Sequence, residues 1–371
     1  MKIVIAPDSF KGTLSAKKVC AIVAAGIKKR CPQADILELP LADGGEGTVD
    51  CLIDALHGQR VTVRVSEPLN RTRVEASYGI FDGDKAIMEM SAASGFQLVA
   101  PSERDIMHSN TYGTGEMFMD AVSRGCRTIY MGIGGSATND GGMGFAAALG
   151  FRFLASGGRE AAPVPANMEL IEKIDGSSIP DILKDVKVMI ISDVTNPLIG
   201  PQGCARIFGP QKGAGAGDVE RLEAGMSRYG AMVERLTGQD LRGRAGAGAA
   251  GGLGFGLMAF VHGEMRSGIE TILGILDFNS IISTADLVIT GEGCMDGQSA
   301  NGKVAGGVAA ACKTAGIPCV AIVGDTGPGF EGMYSLGINK ILTARQGLMT
   351  SEYAMTHSEE LLEKAVDMLK I

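Results

Sequence analysis

The chain has 371 residues, which favours two domains, and 54 of them are glycine. Its net charge of −8 argues against a nucleic-acid-binding surface, and no apolar run approaches the about 18 residues that span a bilayer. The eight cysteines show no C-x-x-C pair and no zinc-site spacing, as is typical of free thiols in a reducing compartment. We therefore expect a cytoplasmic protein without nucleic-acid or membrane partners. The sequence leaves a homo-oligomer open.

The first sixty residues alternate between strands and helices. Their apolar periodicity predicts strands over 3–6 and 36–41 and helices over 15–30 and 48–56. This order is typical of a parallel sheet with helices on its faces. Each predicted strand is followed by a polar loop, at the edge where open α/β sheets bind ligands.

The two loops supply the first candidate substrate-binding residues, which are Ser9, Lys11, Asp43, Gly44 and Gly45. Lys11 could hold a carboxylate or a phosphate; the alternative is a solvated surface lysine. Successive glycines allow a ligand to approach the backbone closely. The alternative for the second loop is an ordinary helix start, where the positive end of the helix dipole stabilises an acidic side chain.

The pattern changes at residue 61. Short alternating segments predict antiparallel hairpins, and a mixed sheet with longer connections follows. Residues 110–115 are predicted to be a loop that precedes a helix. The predicted strands of this region are 61–65, 74–81, 86–90, 128–131 and 186–191, and a helix is predicted over about 218–236.

Two loops of this middle region carry further candidates. Residues 132–142 combine five glycines with hydroxyl and amide side chains, which suits phosphate binding. The candidate nucleotide-binding residues there are Gly134, Gly135, Ser136, Thr138 and Asn139. Asp193 follows the predicted strand 186–191 and could be a catalytic base or a metal ligand; the alternative is a turn before Pro197. Residues 246–251 fit G-x-G-x-x-G but follow a polar segment, so they fail the test for a dinucleotide site.

The parallel pattern returns near the C-terminus. Strands are predicted over 287–290, 319–323 and 340–342, alternating with helices over 304–315 and 358–369. We expect a Rossmann-like parallel-sheet α/β domain built from both chain ends, residues 1–60 plus 284–371. A mixed-sheet α/β domain, residues 61–283, would be inserted between them, with the active-site cleft between the two domains.

The loop after strand 287–290 contains the most side chains that could take part in binding or catalysis. It fits the phosphate-binding pattern G-x-x-x-x-G-K through Gly297, Gly302 and Lys303. Val304 stands where a P-loop has Ser or Thr for magnesium, so a standard P-loop is not expected. Asp296 and Glu292 would then have to supply the magnesium ligands. The alternative is a polar connection at the edge of the sheet.

Taken together, these loops offer acids, hydroxyls, glycines and lysines, but no nucleophile elbow and no histidine pair. Such a set suits phosphoryl transfer, which depends on positioning, charge neutralisation and magnesium. Two alternatives stay open at this point. One is a nucleotide-dependent oxidoreductase of a small hydroxy acid, and the other is a non-catalytic protein that binds small acids.

Six segments, in order along almost the whole chain, carry a resemblance to a known family. They are A-P-D-S-F-K-G-T at 6–13, A-D-G-G-E-G-T at 42–48, G-G-S-A-T-N-D-G-G at 134–142, S-D-V-T-N-P-L at 192–198, G-A-G-A-A-G-G-L-G at 246–254 and T-G-E-G-C-M-D-G-Q-S-A-N-G-K at 290–303. Together they resemble the bacterial glycerate kinases of the first type, the glycerate 2-kinases of glyoxylate, glucarate and galactarate degradation. The resemblance implies a two-domain α/β fold and ATP-dependent phosphorylation of D-glycerate to 2-phosphoglycerate.

Residue chemistry suggests roles for this reaction. Lys11 would hold the glycerate carboxylate, and Asp193 first or Asp43 second would take the proton of the C2 hydroxyl. Mg²⁺ would be held by Asp296 and Glu292. The phosphates of ATP would be neutralised by Lys303 together with the glycine loops.

Overall fold

The structure is a computed structural model that describes residues 1–45, 47–300 and 302–370. Its strands are β1 (Lys2–Ile5), β2 (Asp35–Glu38), β3 (Gln59–Ser66), β4 (Arg73–Phe81), β5 (Lys85–Glu89), β6 (Thr128–Gly132), β7 (Arg152–Ala155), β8 (Ile171–Asp175), β9 (Lys187–Ile191), β10 (Glu264–Arg266), β11 (Leu287–Thr290), β12 (Cys294–Met295), β13 (Cys319–Val323), β14 (Asp325–Thr326) and β15 (Ile338–Thr343). Its helices are α1 (Ala16–Arg30), α2 (Thr48–Ala55), α3 (Ser91–Ser94), α4 (Tyr112–Ser123), α5 (Met143–Ala148), α6 (Cys204–Phe208), α7 (Ala216–Thr237), α8 (Ala249–Val261), α9 (Gly268–Ile275), α10 (Phe278–Ile282), α11 (Val304–Ala315), α12 (Gly332–Leu336), α13 (Ser351–Thr356) and α14 (Ser358–Asp367).

The chain divides into two compact units. The first unit comprises residues 1–43, 50–56 and 267–371, and the second comprises 44–49 and 57–266. The sequence predicts boundaries after residues 60 and 283. The difference at the second boundary arises because α9 packs on α11, where a Cβ atom at Gly307 would lie 2.6 Å from Ile269. The domain assignment itself stays a prediction.

The first unit contains a fully parallel sheet with the strand order β15-β13-β11-β1-β2. This is a doubly wound order in which the chain reverses direction across the sheet between β1 and β11. β1 is completely buried at Ile3, Val4 and Ile5, as a central parallel strand requires. α1 and α14 pack over the sheet and bury a continuous apolar core. The predicted α/β fold class is confirmed here.

The second unit contains a mixed sheet with the order β10-β9-β6-β5-β4-β3. β3, β4 and β5 are antiparallel neighbours, whereas β5, β6, β9 and β10 pair in parallel. The predicted hairpins and mixed sheet are therefore confirmed. The core lies against α4, α5 and α8 and includes the fully buried Phe118, Phe145 and Phe255.

One predicted loop of the second unit is partly helical. The predicted loop 110–115 contains the first turn of α4. Its start is held by Asn110 Oδ1, which accepts the Tyr112 N–H (2.9 Å), and by the buried Asp140, which accepts the Thr111 N–H (2.8 Å). The glycine-rich run 243–256 contains the start of α8, whose residues 250–252 have positive φ. A Cβ atom at Gly251 would lie 2.0 Å from the Thr138 carbonyl oxygen, so this close approach requires glycine.

Candidate active site

Four strands of the first unit end at one pocket. It has a volume of about 390 Å³ and is lined by the residues that follow these strands, Asp8 after β1, Glu292 after β11, Asp325 after β13 and Arg345 after β15. The carboxyl ends of parallel strands share one edge of the sheet, and open α/β sheets bind ligands at that edge. β1 and β11 also flank the point at which the strand order reverses. The pocket therefore lies where this type of sheet favours a ligand.

Most of the candidate residues of the first unit meet at this pocket. Its wall includes Ser9, Lys11, Glu292, Asp296 and Lys303. Asp43 joins them through Lys11, whose Nζ lies 3.9 Å from Asp43 Oδ2. The candidate glycines Gly297 and Gly302 lie in the same loop as Lys303 but are not part of the pocket wall, and the Gly297 N–H donates to the Pro328 carbonyl (2.9 Å).

Asp8 is one of two acids of this pocket, with Asp325, for which the sequence predicts no role. Its side chain is buried and accepts the Ser9 N–H at 2.6 Å. Burial, and next the negative charge of Asp43, raise the pKa of Asp8 to about 6, although the Ser9 N–H and Lys11 oppose the shift. An acid directly after a buried strand and a proline was the only sequence signal for it.

Glu292 and Asp296 lie on either side of the Lys303 ammonium group. Lys303 Nζ is 3.7 Å from Glu292 Oε2 and 3.5 Å from Asp296 Oδ1. Burial raises the pKa of Glu292, against the effects of Ser299 and Lys303. Burial also opposes ionisation of Asp296, but the Gln298 N–H and then Lys303 outweigh it and lower the pKa of that carboxyl.

The donor set fits a magnesium ion carried by a phosphate ligand. Within residues 1–45, 47–300 and 302–370, no group of three or more His, Cys, Asp or Glu side chains is arranged to hold a metal ion. Magnesium, however, is commonly bound by one or two carboxylates plus phosphate oxygens. The Oε1 atom of Glu292 is buried and has no hydrogen-bond partner in the part of the chain that the structure describes, as expected for an oxygen that awaits a ligand.

The candidate glycines of the second unit also come together. A Cβ atom at Gly44 would lie 2.3 Å from the Ile191 side chain, and one at Gly134 would lie 3.3 Å from Gly45 Cα. The loop 44–45 therefore packs on the carboxyl ends of β6 and β9. Asp193 follows β9 by two residues and is exposed.

The backbone N–H groups at the start of α2 already have a carboxylate partner. Glu89, buried at the end of β5, accepts the N–H groups of Gly47 (3.1 Å) and Val49 (2.7 Å). A negative charge at this position is stabilised by the helix dipole. Glu89 thus occupies the anion site that the glycine loop suggested, and no pattern in the sequence predicts this role for it.

The loop 134–139 turns its polar side chains inward. Ser136, Thr138 and Asn139 are buried, and the buried Lys212 donates to the Thr138 carbonyl (2.5 Å) and to Ser136 Oγ (3.2 Å). Burial lowers the pKa of Lys212 to about 8. Both polar atoms of the Asn139 side chain lack a partner among the described residues. Only Gly134 and Gly135 are partly or fully exposed, so the nucleotide role of this loop stays a prediction.

Comparison with known proteins places the chain in a family. The sequence model of the glycerate kinase family matches residues 3–370. The chain belongs to this family. It is 42% identical over 365 residues to the glycerate kinase of Bacillus subtilis (strain 168), which covers 98% of this chain and 95% of that protein. It is 41% identical over 355 residues to the glycerate 2-kinase of Escherichia coli (strain K12), with 95% and 93% of the two chains covered.

A crystal structure from the same family supports the fold. It is a Salmonella typhimurium LT2 protein described provisionally as glycerate kinase 2, and it matches with a TM-score of 0.87 and 40% sequence identity over 99% of this chain and 96% of that one. The resemblance found in the six sequence motifs is confirmed, and so is the fold class. No helix in the described part of the chain is both long and apolar enough to cross a membrane.

Proposed function

We propose that this protein transfers the terminal phosphoryl group of ATP to the C2 hydroxyl of D-glycerate. One observation carries the proposal: in a member of the glycerate kinase family, acids and two lysines line a single pocket at the carboxyl edge of the parallel sheet. Asp43 lies beside one of these lysines, Lys11. Phosphoryl transfer needs acids for magnesium and proton transfer, and cations for phosphate. The C2 position rests on the name of the Escherichia coli relative.

The pair Lys11 and Asp43 suits the acceptor. The Lys11 side chain is 77% exposed, so it can reach a carboxylate without losing a buried partner. Ser9 lies in the same wall and can donate to the glycerate through its hydroxyl. For the proton of the C2 hydroxyl we propose Asp193 first and Asp43 second, and the contact with Lys11 supports Asp43.

The set Glu292, Asp296 and Lys303 suits the phosphates of the donor. The two carboxylates would hold Mg²⁺, and a magnesium ion bound there would neutralise charge on the phosphates. The pocket and its neighbourhood contain five carboxylates, those of Asp8, Asp43, Glu292, Asp296 and Asp325, against the two lysines and Arg345. Because the acids outnumber the cationic side chains, a polyphosphate is accommodated here only together with a divalent cation.

The alternatives of the sequence analysis receive no support. The comparisons point to kinases and to neither an oxidoreductase nor a non-catalytic binding protein. The G-x-G-x-x-G segment 246–251 lies at the start of α8 and packs against the loop 138–141, as a structural turn does. We also propose a cytoplasmic location, since all eight cysteines are free thiols.

³¹P NMR of the protein with MgATP and D-glycerate tests the function. We expect a new phosphomonoester signal split by one proton, which identifies phosphate on C2. Splitting by two protons would place the phosphate on C3 and overturn the regiochemistry. ADP without phosphoglycerate, or no reaction at all, would contradict the proposed activity.

A further inference from the structure

The pocket has an apolar end that the proposed chemistry does not use. Besides acids and lysines, the wall includes Phe10, Ala354, Met355 and Leu361. Phe10 and Leu361 share one buried apolar cluster, and Ala354 packs against it. The volume of about 390 Å³ lies within the roughly 300–1,000 Å³ typical of sites for drug-sized ligands. Glycerate has three carbons that all carry oxygen, so it neither fills this space nor benefits from an apolar wall.

The apolar end is built from three elements, the loop after β1 and the helices α13 and α14. Phe10 belongs to the loop after β1 and Leu361 to α14, and both are 3% exposed. Met355 belongs to α13 and is 53% exposed. It reaches across to the loop after β1, because its Cε lies 3.7 Å from the position that a Cβ atom at Gly12 would take. The apolar space is therefore open to solvent and lies between α13 and this loop.

Arg345 holds α13 in position as the wall of this space. Its Nε donates to the Met349 carbonyl (2.8 Å), and its Nη1 donates to Asp325 Oδ2 (2.6 Å) and to Ser351 Oγ (3.3 Å). These bonds fix the segment before α13 and the first residue of that helix to Asp325, at the start of β14. The apolar end is thus a supported site, and the guanidinium group that supports it also lines the pocket.

We propose that the apolar end binds the purine base of the phosphoryl donor, in contact with Phe10, Met355 and Ala354. This inference rests on the proposed function, because it takes ATP as the donor. A purine has two apolar faces that gain from burial against such a wall, and its polar edge can reach the Ser351 and Ser358 hydroxyls that also line the pocket. The phosphate chain then extends toward Lys303.

The first test compares Met355→Gln with Met368→Gln. Both methionines are partly exposed in the C-terminal helical region of the first unit, but only Met355 lines the pocket. Isothermal titration with ADP and with inorganic tripolyphosphate, both in the presence of Mg²⁺ and in the absence of glycerate, separates base binding from phosphate binding. We expect Met355→Gln to weaken ADP binding about three- to tenfold and to leave tripolyphosphate binding unchanged, with Met368→Gln equal to wild type for both ligands. Equal losses for both ligands, or no loss, would overturn the inference.

A second variant fills the space. Ala354→Leu narrows the apolar end from α13, so it should weaken ADP binding while tripolyphosphate still binds. Cys294 reports where ADP binds, because this exposed thiol lines the same pocket. Peptide-level mass spectrometry should show that ADP slows alkylation of Cys294 in the wild type. Unchanged alkylation by saturating ADP would place the nucleotide elsewhere and contradict the inference.

Turnover separates the two proposals. If wild type phosphorylates glycerate and Met355→Gln leaves the KM for ATP unchanged, the inference fails and the function stands. If ADP protects Cys294 and Met355→Gln weakens ADP binding, but wild type does not phosphorylate glycerate, the inference stands and the proposed function fails. A rise in the KM for ATP with unchanged KM for glycerate supports both.

Discussion

The loop after β11 in the first unit and the loop after β6 in the second unit look alike in sequence but differ in structure. Both follow a buried strand and both combine glycines with hydroxyl and acidic residues. In the first, Glu292, Asp296 and Lys303 line an open pocket. In the second, Ser136, Thr138 and Asn139 are buried, and a lysine from elsewhere in the unit bonds to the loop. Loop composition therefore indicates which chemistry is available, whereas the partners of the loop decide which way it faces.

The largest effect should come from the catalytic base. General-base catalysis contributes about 10²–10⁴-fold, so either Asp193→Asn or Asp43→Asn should lower kcat by that factor in a coupled ADP-release assay. Asp181→Asn and Asp54→Asn, at exposed acids that pair with surface lysines, serve as controls in the two units. If both Asp193→Asn and Asp43→Asn keep normal turnover, the base assignment is wrong.

The metal assignment predicts the next largest effect. Asp296→Asn should lower kcat about 100-fold and raise the Mg²⁺ concentration needed for half-maximal rate, because charge stabilisation of the phosphates is weakened. Asp277→Asn is a matched control, since Asp277 is exposed and has a positive φ that asparagine also tolerates. Near-normal turnover of Asp296→Asn with an unchanged Mg²⁺ requirement would show that Asp296 is not a magnesium ligand.

Loss of the hydrogen bonds by which Arg345 supports α13 should have a smaller effect. Arg345→Lys keeps the charge but cannot keep the three bonds of the guanidinium group, so α13 should be held less firmly. We expect the KM for ATP to rise about tenfold while kcat changes little. Arg152→Lys, at an exposed pair with Glu160, provides the control. A rise in the KM for glycerate alone would show that this wall serves the acceptor.

Substitution of Lys212, the buried lysine of the second unit, should have the smallest effect. It tests the inward-facing loop after β6, the second of the two loops compared above. The pKa of Lys212 in the folded chain is about 8, which is below its ordinary value. At pH values between these two pKa values, the unfolded chain binds more protons than the folded chain. The free energy of unfolding therefore rises with pH in that window. Between pH 8.5 and 9.5, wild type should gain about 1 kcal/mol relative to Lys212→Met in urea unfolding. If the difference in the free energy of unfolding between wild type and Lys212→Met does not change with pH, burial does not lower the pKa of Lys212.

Much of the first unit could be predicted from its sequence. The strand over 287–290, the helix over 304–315 and the strand over 319–323 are confirmed with their limits, because apolar runs bounded by glycine leave little choice. The position of Glu292 and Asp296 at the pocket follows from the same pattern, since a strand end in a parallel sheet fixes which edge a loop occupies.

The remaining features depend on contacts between distant residues. Glu89 and Lys212 act through backbone groups of loops that are 40 or more positions away in the chain, and no local pattern shows such a pairing. α13 was missed because it is a short, largely exposed helix that lacks an apolar stripe. Its role appears only when Arg345 and the pocket are seen together.

A crystal structure with MgADP and D-glycerate bound would test the central claim most directly. We predict nucleotide density in the first-unit pocket, with the base between Phe10 and Met355, the phosphates beside Lys303, and the metal on Glu292 and Asp296. Phosphates bound instead at Gly134 and Gly135 of the second unit, with the first-unit pocket empty, would contradict it.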